Sequence, residues 1–277
     1  MITGEKLQKI LARGGYGSRR EIERMIEQGQ VQLNGRTAKL GDRATETDKI
    51  QVRGNSVKPT RLVQQPTEVL LYHKPEGLVC TRSDEKARDT IFDQLPHIKN
   101  GRWITIGRLD INTSGLLLVT NNGELANRLM HPSYEIEREY AVRIFGEVTE
   151  EMLTNVRQGV MLDDGLAKFD VVSRLPSEED AQNQWYRVVL KEGRYREVRR
   201  LWESQGVQVS RLMRTRYADF SLPRNLRRGK TQALNWMQIN TLLKSVDLPG
   251  EVRPDLRGQV AIKQTKKAPI KPTRRGR

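Results

Sequence analysis

Residues 107–123, GRLDINTSGLLLVTNNG, decide the fold class and hold the candidate site of this 277-residue chain. Leu116 to Val119 form an unbroken apolar run, which is typical of a strand buried on both faces. Ile104 to Ile106 predict a second strand just upstream. The residues between the two strands are turn formers: Asp, Asn, Thr, Ser and Gly. Asp110 is therefore expected at the mouth of a loop that lies between buried strands.

An aspartate in such a loop has two interpretations. It can accept a hydrogen bond from the backbone of its own loop as an Asx-turn residue. Alternatively, it can be a carboxylate held for chemistry against the apolar middle of a domain, with Arg108 two residues away. The segment alone leaves both interpretations open.

The charge distribution indicates a polyanionic partner. The net charge is +15, and it is concentrated at the two ends of the chain. Residues 1–60 hold 12 Lys or Arg against seven acidic residues, and residues 251–277 hold nine against two. No run of about 18 apolar residues could span a bilayer, and the opening MITGEKLQKI lacks the apolar core of a secretory signal. Nucleic acid is therefore favoured over lipid, and no membrane partner is expected.

The cysteine and histidine content argues against a metal centre. Cys80 stands with three histidines, His73, His97 and His131, at spacings that match no metal-ligand pattern. A single cysteine also rules out a disulfide within the chain and fits a reducing, cytoplasmic location. No Gly-Lys-Ser/Thr phosphate loop, GxGxxG or GxSxG motif is present, which argues against an NTPase, a dinucleotide enzyme and an acyl transferase. We expect neither a metal nor a nucleotide or other cofactor.

The first 60 residues predict a helix pair followed by strands. Leu7, Ile10 and Leu11 recur at helical spacing, as do Ile22, Met25 and Ile26. Ser18-Arg19-Arg20-Glu21 is a capping box, and Asn34-Gly35 is a hairpin turn after the strand Val31–Leu33.

The polar side of these helices is basic. One interpretation is an ordinary solvated helix face, and the other is a phosphate-binding surface. The few acidic residues between 13 and 20 favour the second. Residues 4–50 resemble the S4 RNA-binding module, with SRRE and VxLNG at the family spacing. The resemblance implies that the module docks on structured RNA through Lys6, Lys9, Arg13, Arg19, Arg20 and Arg24.

The rest of the chain divides by composition. Residues 61–68 are polar and predict a linker, and residues 250–277 are basic and proline-rich and predict a disordered tail. Between them, residues 69–249 predict one domain. Val69–Tyr72 predicts a strand that turns at Lys74-Pro75-Glu76-Gly77, and Leu78–Cys80 is expected to return as its partner strand. The expected domains are thus 1–60, 61–68, 69–249 and 250–277.

The string GRLDxxTSGLLLxTNxG resembles the signature of pseudouridine synthases, in the branch that carries an S4 module and modifies ribosomal RNA. HKPEG, Glu139–Val142 and the segment 192–201 also match the family. The resemblance implies an α+β fold with a mixed, largely antiparallel sheet flanked by helices. It further implies cofactor-free isomerisation of uridine. Its catalytic residues would be Asp110, Tyr140 and Arg199.

The chemistry explains these residue types. An ionised carboxylate in a pocket without water needs a cation about 4–6 Å away, and we expect Arg199 to make a bidentate contact with Asp110. Tyr140 would stack on the extruded base and assist removal of the C5 proton. Arg199 could instead belong to an RNA-facing helix surface, and Tyr140 could be a half-buried strand residue. Further RNA contacts are expected from Arg108, Arg194 and Arg196.

Two other functional classes compete. A non-catalytic ribosome-assembly factor would bind RNA with the same fold, although Asp110, Tyr140 and Arg199 are all present. An RNA methyltransferase would need a Gly-rich loop for its methyl donor, and none is seen. Within the family, GRYREVRRLWE resembles the enzymes that act on large-subunit ribosomal RNA. We therefore expect that RNA, or a large-subunit precursor, as the partner of a monomer.

Overall fold

The computed structural model describes residues 4–82, 86–176 and 183–252. The predicted tail falls almost entirely outside these residues. Within them, the chain forms two modules, each with its own apolar core. The elements of the first module are β1 (Glu5–Lys6), α1 (Leu7–Arg13), α2 (Arg19–Glu27), β2 (Val31–Leu33), β3 (Arg36–Thr37), β4 (Arg43–Ala44), β5 (Ile50–Val52), β6 (Asn55–Ser56) and α3 (Pro59–Leu62).

In the first module, the helix cap and the hairpin turn predicted from short sequence motifs are both formed. Helix α2 begins at the capping box, in which the Ser18 hydroxyl accepts from the Glu21 amide and the Glu21 carboxylate accepts from the Ser18 amide. Asn34 and Gly35 both take positive φ, 52° and 84°, between β2 and β3, as a two-residue hairpin turn requires. The core of this module also includes Leu62, which is fully buried. The predicted linker 61–68 thus begins with residues that close the first core.

The second module is built on one large sheet. Its elements are β7 (Val69–Lys74), β8 (Ile104–Ile106), β9 (Ser114–Thr120), α4 (Gly123–Met130), β10 (Arg138–Phe145), α5 (Glu150–Gln158), β11 (Val160–Leu162), β12 (Gly165–Ala167), β13 (Val171–Arg174), β14 (Asn183–Leu190), α6 (Glu197–Glu203), β15 (Gln208–Tyr217), β16 (Phe220–Ser221), β17 (Thr231–Ala233) and α7 (Trp236–Lys244). Single turns of 3-10 helix lie at Ile91–Asp93 and Pro132–Tyr134.

The sheet is mixed and mostly antiparallel, which confirms the predicted fold class. Its strands run in the order β13-β14-β10-β15-β9-β7-β17, with β8 on β9 and β16 on β15. Only the β9–β15 pairing is parallel among the strands described. Leu116 and Leu118 of β9 pack with α4 and α7, whereas Leu117 and Val119 pack with α5 and α6 on the opposite face. The apolar run is continuous because helices cover both faces of the sheet.

One predicted strand pairing is wrong. Leu78–Cys80 does not return beside β7, because β9 and β17 occupy the two edges of β7. Val79 makes only an isolated bridge to Thr90. The turn at Glu76–Gly77 instead leads toward the Asp110 loop, since the Gly77 amide donates to the Ile111 carbonyl at 2.8 Å. As for membranes, no helix in the described ranges is both long and apolar enough to cross a bilayer.

Candidate active site

Asp110 lies in a large open cleft on the second module, which we call the Asp110 cleft. The cleft has a volume of about 1180 Å³. It is formed where the loop after β8 meets β10, β15 and the segment that leads into α6. Basic side chains outnumber acidic ones along its walls. The basic lining residues are Arg108, Arg138, Lys168, Lys191, Arg194, Arg196 and Arg214, and the acidic ones are Asp110, Glu135, Asp170, Glu192 and Glu197.

The Asp110 loop is held from beneath by a buried lysine. Lys74, at the end of β7, has no solvent exposure. Its ammonium donates to the carbonyls of Pro75 and Asp110 at 3.0 Å and of Thr113 at 2.9 Å. Burial lowers the pKa of this ammonium, while the nearby Cys80 and Asp110 oppose that shift. Two of these charge-assisted hydrogen bonds therefore fix the loop backbone at Asp110 and three residues further on, at Thr113.

The Asp110 side chain itself is half-buried and lines the cleft. The Thr113 amide donates to the Asp110 backbone carbonyl at 3.0 Å. Across residues 4–82, 86–176 and 183–252, no hydrogen bond or ion pair of the Asp110 carboxylate is found, so the Asx-turn contact is not formed there. A carboxylate held by its backbone and left free at its oxygens is available to a ligand.

Arg199 does not make the predicted bidentate contact with Asp110. Its guanidinium donates through Nη2 to the Asn112 carbonyl at 2.9 Å and through Nη1 to the Val209 carbonyl at 3.0 Å. The reason is its place on α6 behind the Asp110 loop, where only 8% of the residue is exposed. Burial lowers the pKa of Arg199, Arg196 lowers it further, and the Asp110 carboxylate opposes both. Arg199 thus braces the loop backbone within electrostatic reach of Asp110.

Tyr140 lines the same cleft from the neighbouring strand β10. It pairs with Val188 on one side and with Arg214 on the other, and only 9% of it is exposed. The structure therefore brings Asp110 and Tyr140 to one cavity. It places Arg199 behind the cavity wall.

The comparisons with known proteins identify both modules of the chain. The S4 domain profile matches residues 5–50, and the profile described as RNA pseudouridylate synthase matches residues 68–204. The chain is 52% identical over 265 residues to "Ribosomal large subunit pseudouridine synthase B" of Escherichia coli (strain K12), covering 95% of this chain and 89% of that protein. The chain belongs to the pseudouridine synthase family. A Yersinia pestis relative of the same name is 53% identical over 90% of this chain and 78% of that protein.

A solved structure supports the fold of this synthase. A protein described as "Crystal structure of pseudouridylate synthase" superposes with a TM-score of 0.60 at 23% identity. The match covers 86% of this chain and 99% of that one. At that identity the likeness concerns the fold alone.

The other predicted arginines of the synthase module differ in how they are held. Arg108 is exposed at the rim of the Asp110 cleft. Arg194 is tied to Glu192 and Asp164 and donates to the Leu166 carbonyl at 2.9 Å. Arg196 pairs with Glu203 at 3.2 Å. Arg108 is thus the least constrained of the three for an RNA phosphate.

Sequence reasoning missed two buried arginines that line the cleft, Arg138 and Arg214. Arg214 of β15 is 2% exposed, and its Nε donates to the Leu116 carbonyl at 2.7 Å. Its Nη2 is enclosed without a hydrogen-bond partner in the part of the chain that is described. Arg211, Arg214 and Arg216 look alike in the sequence, and only the fold distinguishes the buried one. A sequence signal for Lys74 was available, because this lysine ends a strand that begins with the apolar run Val69 to Tyr72.

The predicted basic residues of the S4 domain fall into two groups. Lys6, Arg20 and Arg24 are exposed, as is Arg19. Lys9 pairs with Glu5 at 3.0 Å, and Arg13 pairs with Glu5 and donates to the Leu62 carbonyl at 2.6 Å. Arg13 therefore ties α1 to α3, which leaves the exposed four as the freer RNA ligands.

Proposed function

We propose that the protein isomerises a specific uridine of large-subunit ribosomal RNA to pseudouridine, with Asp110 as the catalytic carboxylate. The observation that carries the proposal is the Asp110 loop: Lys74 fixes the backbone, while the carboxylate faces a basic cleft without a partner among the described residues. The choice of the large-subunit RNA rests on the names of relatives such as the E. coli protein.

The reaction conserves every atom of the RNA. The bond between uracil N1 and ribose C1′ breaks, the base turns, and C5 bonds to the same C1′. The hydrogen on C5 leaves as a proton, and N1 gains one. Because the base is only re-attached, no oxidant, metal or cofactor is consumed. Asp110 attacks the nucleoside, and the bond that it forms breaks again before the product leaves, so the carboxylate is regenerated. Tyr140 stacks on the base and assists removal of the C5 proton.

Arg199 acts in this proposal as a positioning residue. Its hydrogen bond to the Asn112 carbonyl holds the Asp110 loop from behind, and its positive charge lies within electrostatic reach of the Asp110 carboxylate. Lys74 holds the same loop through the carbonyls of Asp110 and Thr113. Two buried cations thereby set the carboxylate in place before RNA arrives, which is the preorganisation that electrostatic catalysis requires.

Binding of the surrounding RNA offsets the free energy needed to bring the uridine into the cleft. Taking a uridine out of folded RNA costs a few kcal/mol, and contacts elsewhere on the RNA offset that cost. We assign these contacts to Lys6, Lys9, Arg13, Arg19, Arg20 and Arg24 of the S4 domain and to Arg108, Arg194 and Arg196 of the synthase module. The protein acts as a monomer in the cytoplasm, with residues 250–277 adding unspecific attraction to RNA.

The deciding experiment is tritium release from large-subunit ribosomal RNA labelled at uracil C5. We expect release by the wild type and none by Asp110→Asn, which keeps the size and polarity of the side chain but removes its charge. RNA binding by the variant should be unchanged in a filter-binding assay. Asp219→Asn is the matched control, because Asp219 is exposed in the β15–β16 turn and lines no part of the cleft.

The alternatives give different outcomes. If the wild type binds the RNA but releases no tritium from naked RNA or from assembly intermediates, the protein is an RNA-binding assembly factor. Thermal stabilisation by S-adenosylmethionine would instead support a methyltransferase, and we expect none.

A further inference from the structure

A second cleft lies between the S4 domain and the synthase module, and we call it the intermodule cleft. Its volume is about 310 Å³. The S4 side contributes Glu5, Lys9, Ala12, Arg13 and Arg19. The synthase side contributes residues 100–102, Ile104 and the first two turns of α4 with the residues just before them. The Asp110 mechanism uses none of the residues on the synthase side, and Lys9, Arg13 and Arg19 enter it only as the RNA contacts proposed for the S4 domain.

The cleft carries positive charge that the protein does not neutralise. Lys9 and Arg13 pair with Glu5, and Glu124 pairs with Arg128. Arg19 and Arg102, from opposite walls, form no ion pair within residues 4–82, 86–176 and 183–252.

Arg102 is the more unusual of the two arginines. It is half-buried, and its Nε is enclosed without a hydrogen-bond partner in the described residues. Burial lowers the pKa of Arg102, and the Glu21 carboxylate opposes the shift. Glu21 is itself committed to capping α2, and Arg82 faces Arg102 with a like charge. A half-buried guanidinium whose Nε lacks a partner is suited to bind an anion.

The remaining walls suit one nucleotide. The side-chain amides of Asn100 and Asn127 make no hydrogen bond in the described parts of the chain, and they line the cleft beside the apolar surfaces of Ala12, Ile104 and Met130. Amides can read the edge of a base, and apolar surface can cover its face. The volume is at the lower end of the ~300–1,000 Å³ typical of ligand pockets, so a single nucleotide fits and a duplex does not.

The two clefts adjoin one another. Met130, at the end of α4, lines both. Ile104 of β8 faces the intermodule cleft, and its neighbour Thr105 faces the Asp110 cleft. A single RNA strand that leaves the Asp110 cleft over Met130 would therefore enter the intermodule cleft directly.

We propose that the intermodule cleft holds one unpaired nucleotide of the RNA strand that carries the target uridine, with its phosphate bound between Arg19 and Arg102. This inference rests on the proposed function and extends it. The bound nucleotide fixes the distance along the RNA between the segment that the S4 domain binds and the uridine that enters the Asp110 cleft. The cleft thereby contributes to the choice of the target.

The test compares Arg102→Gln, Arg19→Gln and the double variant with the wild type. Binding of transcribed large-subunit ribosomal RNA is measured from about 50 to 300 mM KCl, the range in which phosphate contacts show their salt dependence. Each single variant should bind roughly three- to tenfold more weakly and reduce the slope of log K against log [KCl] by about 0.7–1. If both arginines hold one phosphate, the double variant should lose less than the sum of the two. KM for tritium release should rise, and kcat should be unchanged.

A second variant tests the cavity rather than its charge. Asn127→Trp places a large ring at an exposed position of α4 that lines the cleft. It should raise KM while leaving the salt slope as in the wild type. Lys244→Gln, an exposed charge on α7 outside both clefts, is the control for general attraction. Wild-type affinity and salt slope in Arg102→Gln, or wild-type KM in Asn127→Trp, would overturn the proposal.

These outcomes are distinct from a failure of the proposed activity. If the wild type released no tritium, the isomerase assignment would fail, yet the binding and salt measurements would still report on the cleft. If the wild type released tritium and all cleft variants had its RNA affinity, salt slope and KM, only the proposed nucleotide site would be refuted. Melting followed by circular dichroism verifies that each variant is folded.

Discussion

At the scale of single residues, the synthase module holds an unusual number of buried charges around its cleft. Lys74, Glu197, Arg199 and Arg214 are each less than a tenth exposed. Ionised groups are rarely buried unless their partners are arranged for them. Lys74 and Arg199 find backbone carbonyls of the Asp110 loop, so their burial serves the position of Asp110. Glu197 differs from these two residues, because its buried carboxylate does not hold the Asp110 loop.

Glu197 lends itself to a test by pH. Its carboxylate accepts from the Arg194 amide at 3.1 Å at the start of α6. Burial raises the pKa of Glu197 above its ordinary value of 4.5, and Glu192 adds to the shift, whereas the Arg194 amide opposes it. The folded state therefore holds this proton more tightly than the unfolded state. The resulting stabilisation is full below pH 4.5 and is lost as the pH rises through the folded pKa.

We therefore expect Glu197→Gln to stabilise the fold at neutral pH relative to the wild type, and to do so less at a pH near the ordinary pKa of glutamate. Glutamine keeps the oxygen that accepts from Arg194 but carries no charge. Urea unfolding of both proteins at several pH values measures the difference. If the difference in unfolding free energy between the wild type and Glu197→Gln did not change with pH, burial would not raise the pKa of Glu197.

The candidate site shows what the sequence could and could not predict at this scale. The place of Asp110 in a loop between two strands was predicted from a local feature, a polar segment between apolar runs, whereas its catalytic role came from the family resemblance and stays a prediction. The partner of Arg199 was predicted wrongly because it depends on how α6 packs behind a loop 87 residues away. Lys74 and Thr113, 39 residues apart, meet only because β7 pairs with β9. Contacts of that kind follow from the fold and not from local pattern.

At the scale of elements, the parallel pairing of β9 with β15 shapes the floor of the cleft. Gly115 pairs with Arg214 across these strands and has a φ of +108°. A Cβ at this position would lie 2.3 Å from the Arg214 carbonyl oxygen and 2.6 Å from its amide nitrogen. Only glycine allows β15 to approach this closely. The Gly of the TSG motif is thus explained by the backbone of a strand far along the chain.

Gly115→Ala should consequently lower the free energy of unfolding by more than the cost of a positive φ, because the new Cβ also collides with the Arg214 backbone. Gly206 is the matched control, because it also has a positive φ of +80° but no heavy atom within 4 Å of the place that a Cβ would take. We expect Gly206→Ala to cost about 1–2 kcal/mol and Gly115→Ala roughly 3 kcal/mol or more. Urea unfolding gives both values. Equal costs would mean that β15 can move away freely.

Local elements were predicted better than their pairing. The capping box before α2, the Asn34-Gly35 turn and the strand predicted at Leu116 to Val119 all form, because each is specified by neighbouring residues. The strand runs somewhat longer than predicted, over Ser114–Thr120. The return of Leu78–Cys80 beside β7 was wrong, since a turn signal cannot show that β9 and β17 compete for the same edges. Strand order is decided by burial across the whole sheet.

At the scale of the whole molecule, two glycines set the contact between the S4 domain and the synthase module. Gly15 has a φ of +86°, and a Cβ there would lie 2.6 Å from the Gly101 carbonyl oxygen. Gly101 in turn has a φ of +105°, and a Cβ on it would lie 3.1 Å from the Arg13 carbonyl oxygen. Backbone therefore meets backbone at this point, beside the intermodule cleft. A larger residue would force the modules apart.

If the Gly15–Gly101 contact sets the position of the S4 domain, a substitution at Gly15 should weaken RNA selection, and an equally strained substitution elsewhere in the S4 domain should not. Gly15→Ala and Gly35→Ala both place a side chain at a strongly positive φ, +86° and +84°, at a similar cost of about 1–2 kcal/mol. Only Gly15→Ala meets the other module, since Gly35 has open space around it. We expect Gly15→Ala to raise KM for large-subunit ribosomal RNA about tenfold, the equivalent of about 1.4 kcal/mol of binding, with kcat nearly unchanged because the Asp110 loop is untouched. Gly35→Ala should keep the wild-type KM in the same tritium-release assay. Equal KM values for the two variants would show that the S4 domain can shift against the synthase module without loss of RNA selection.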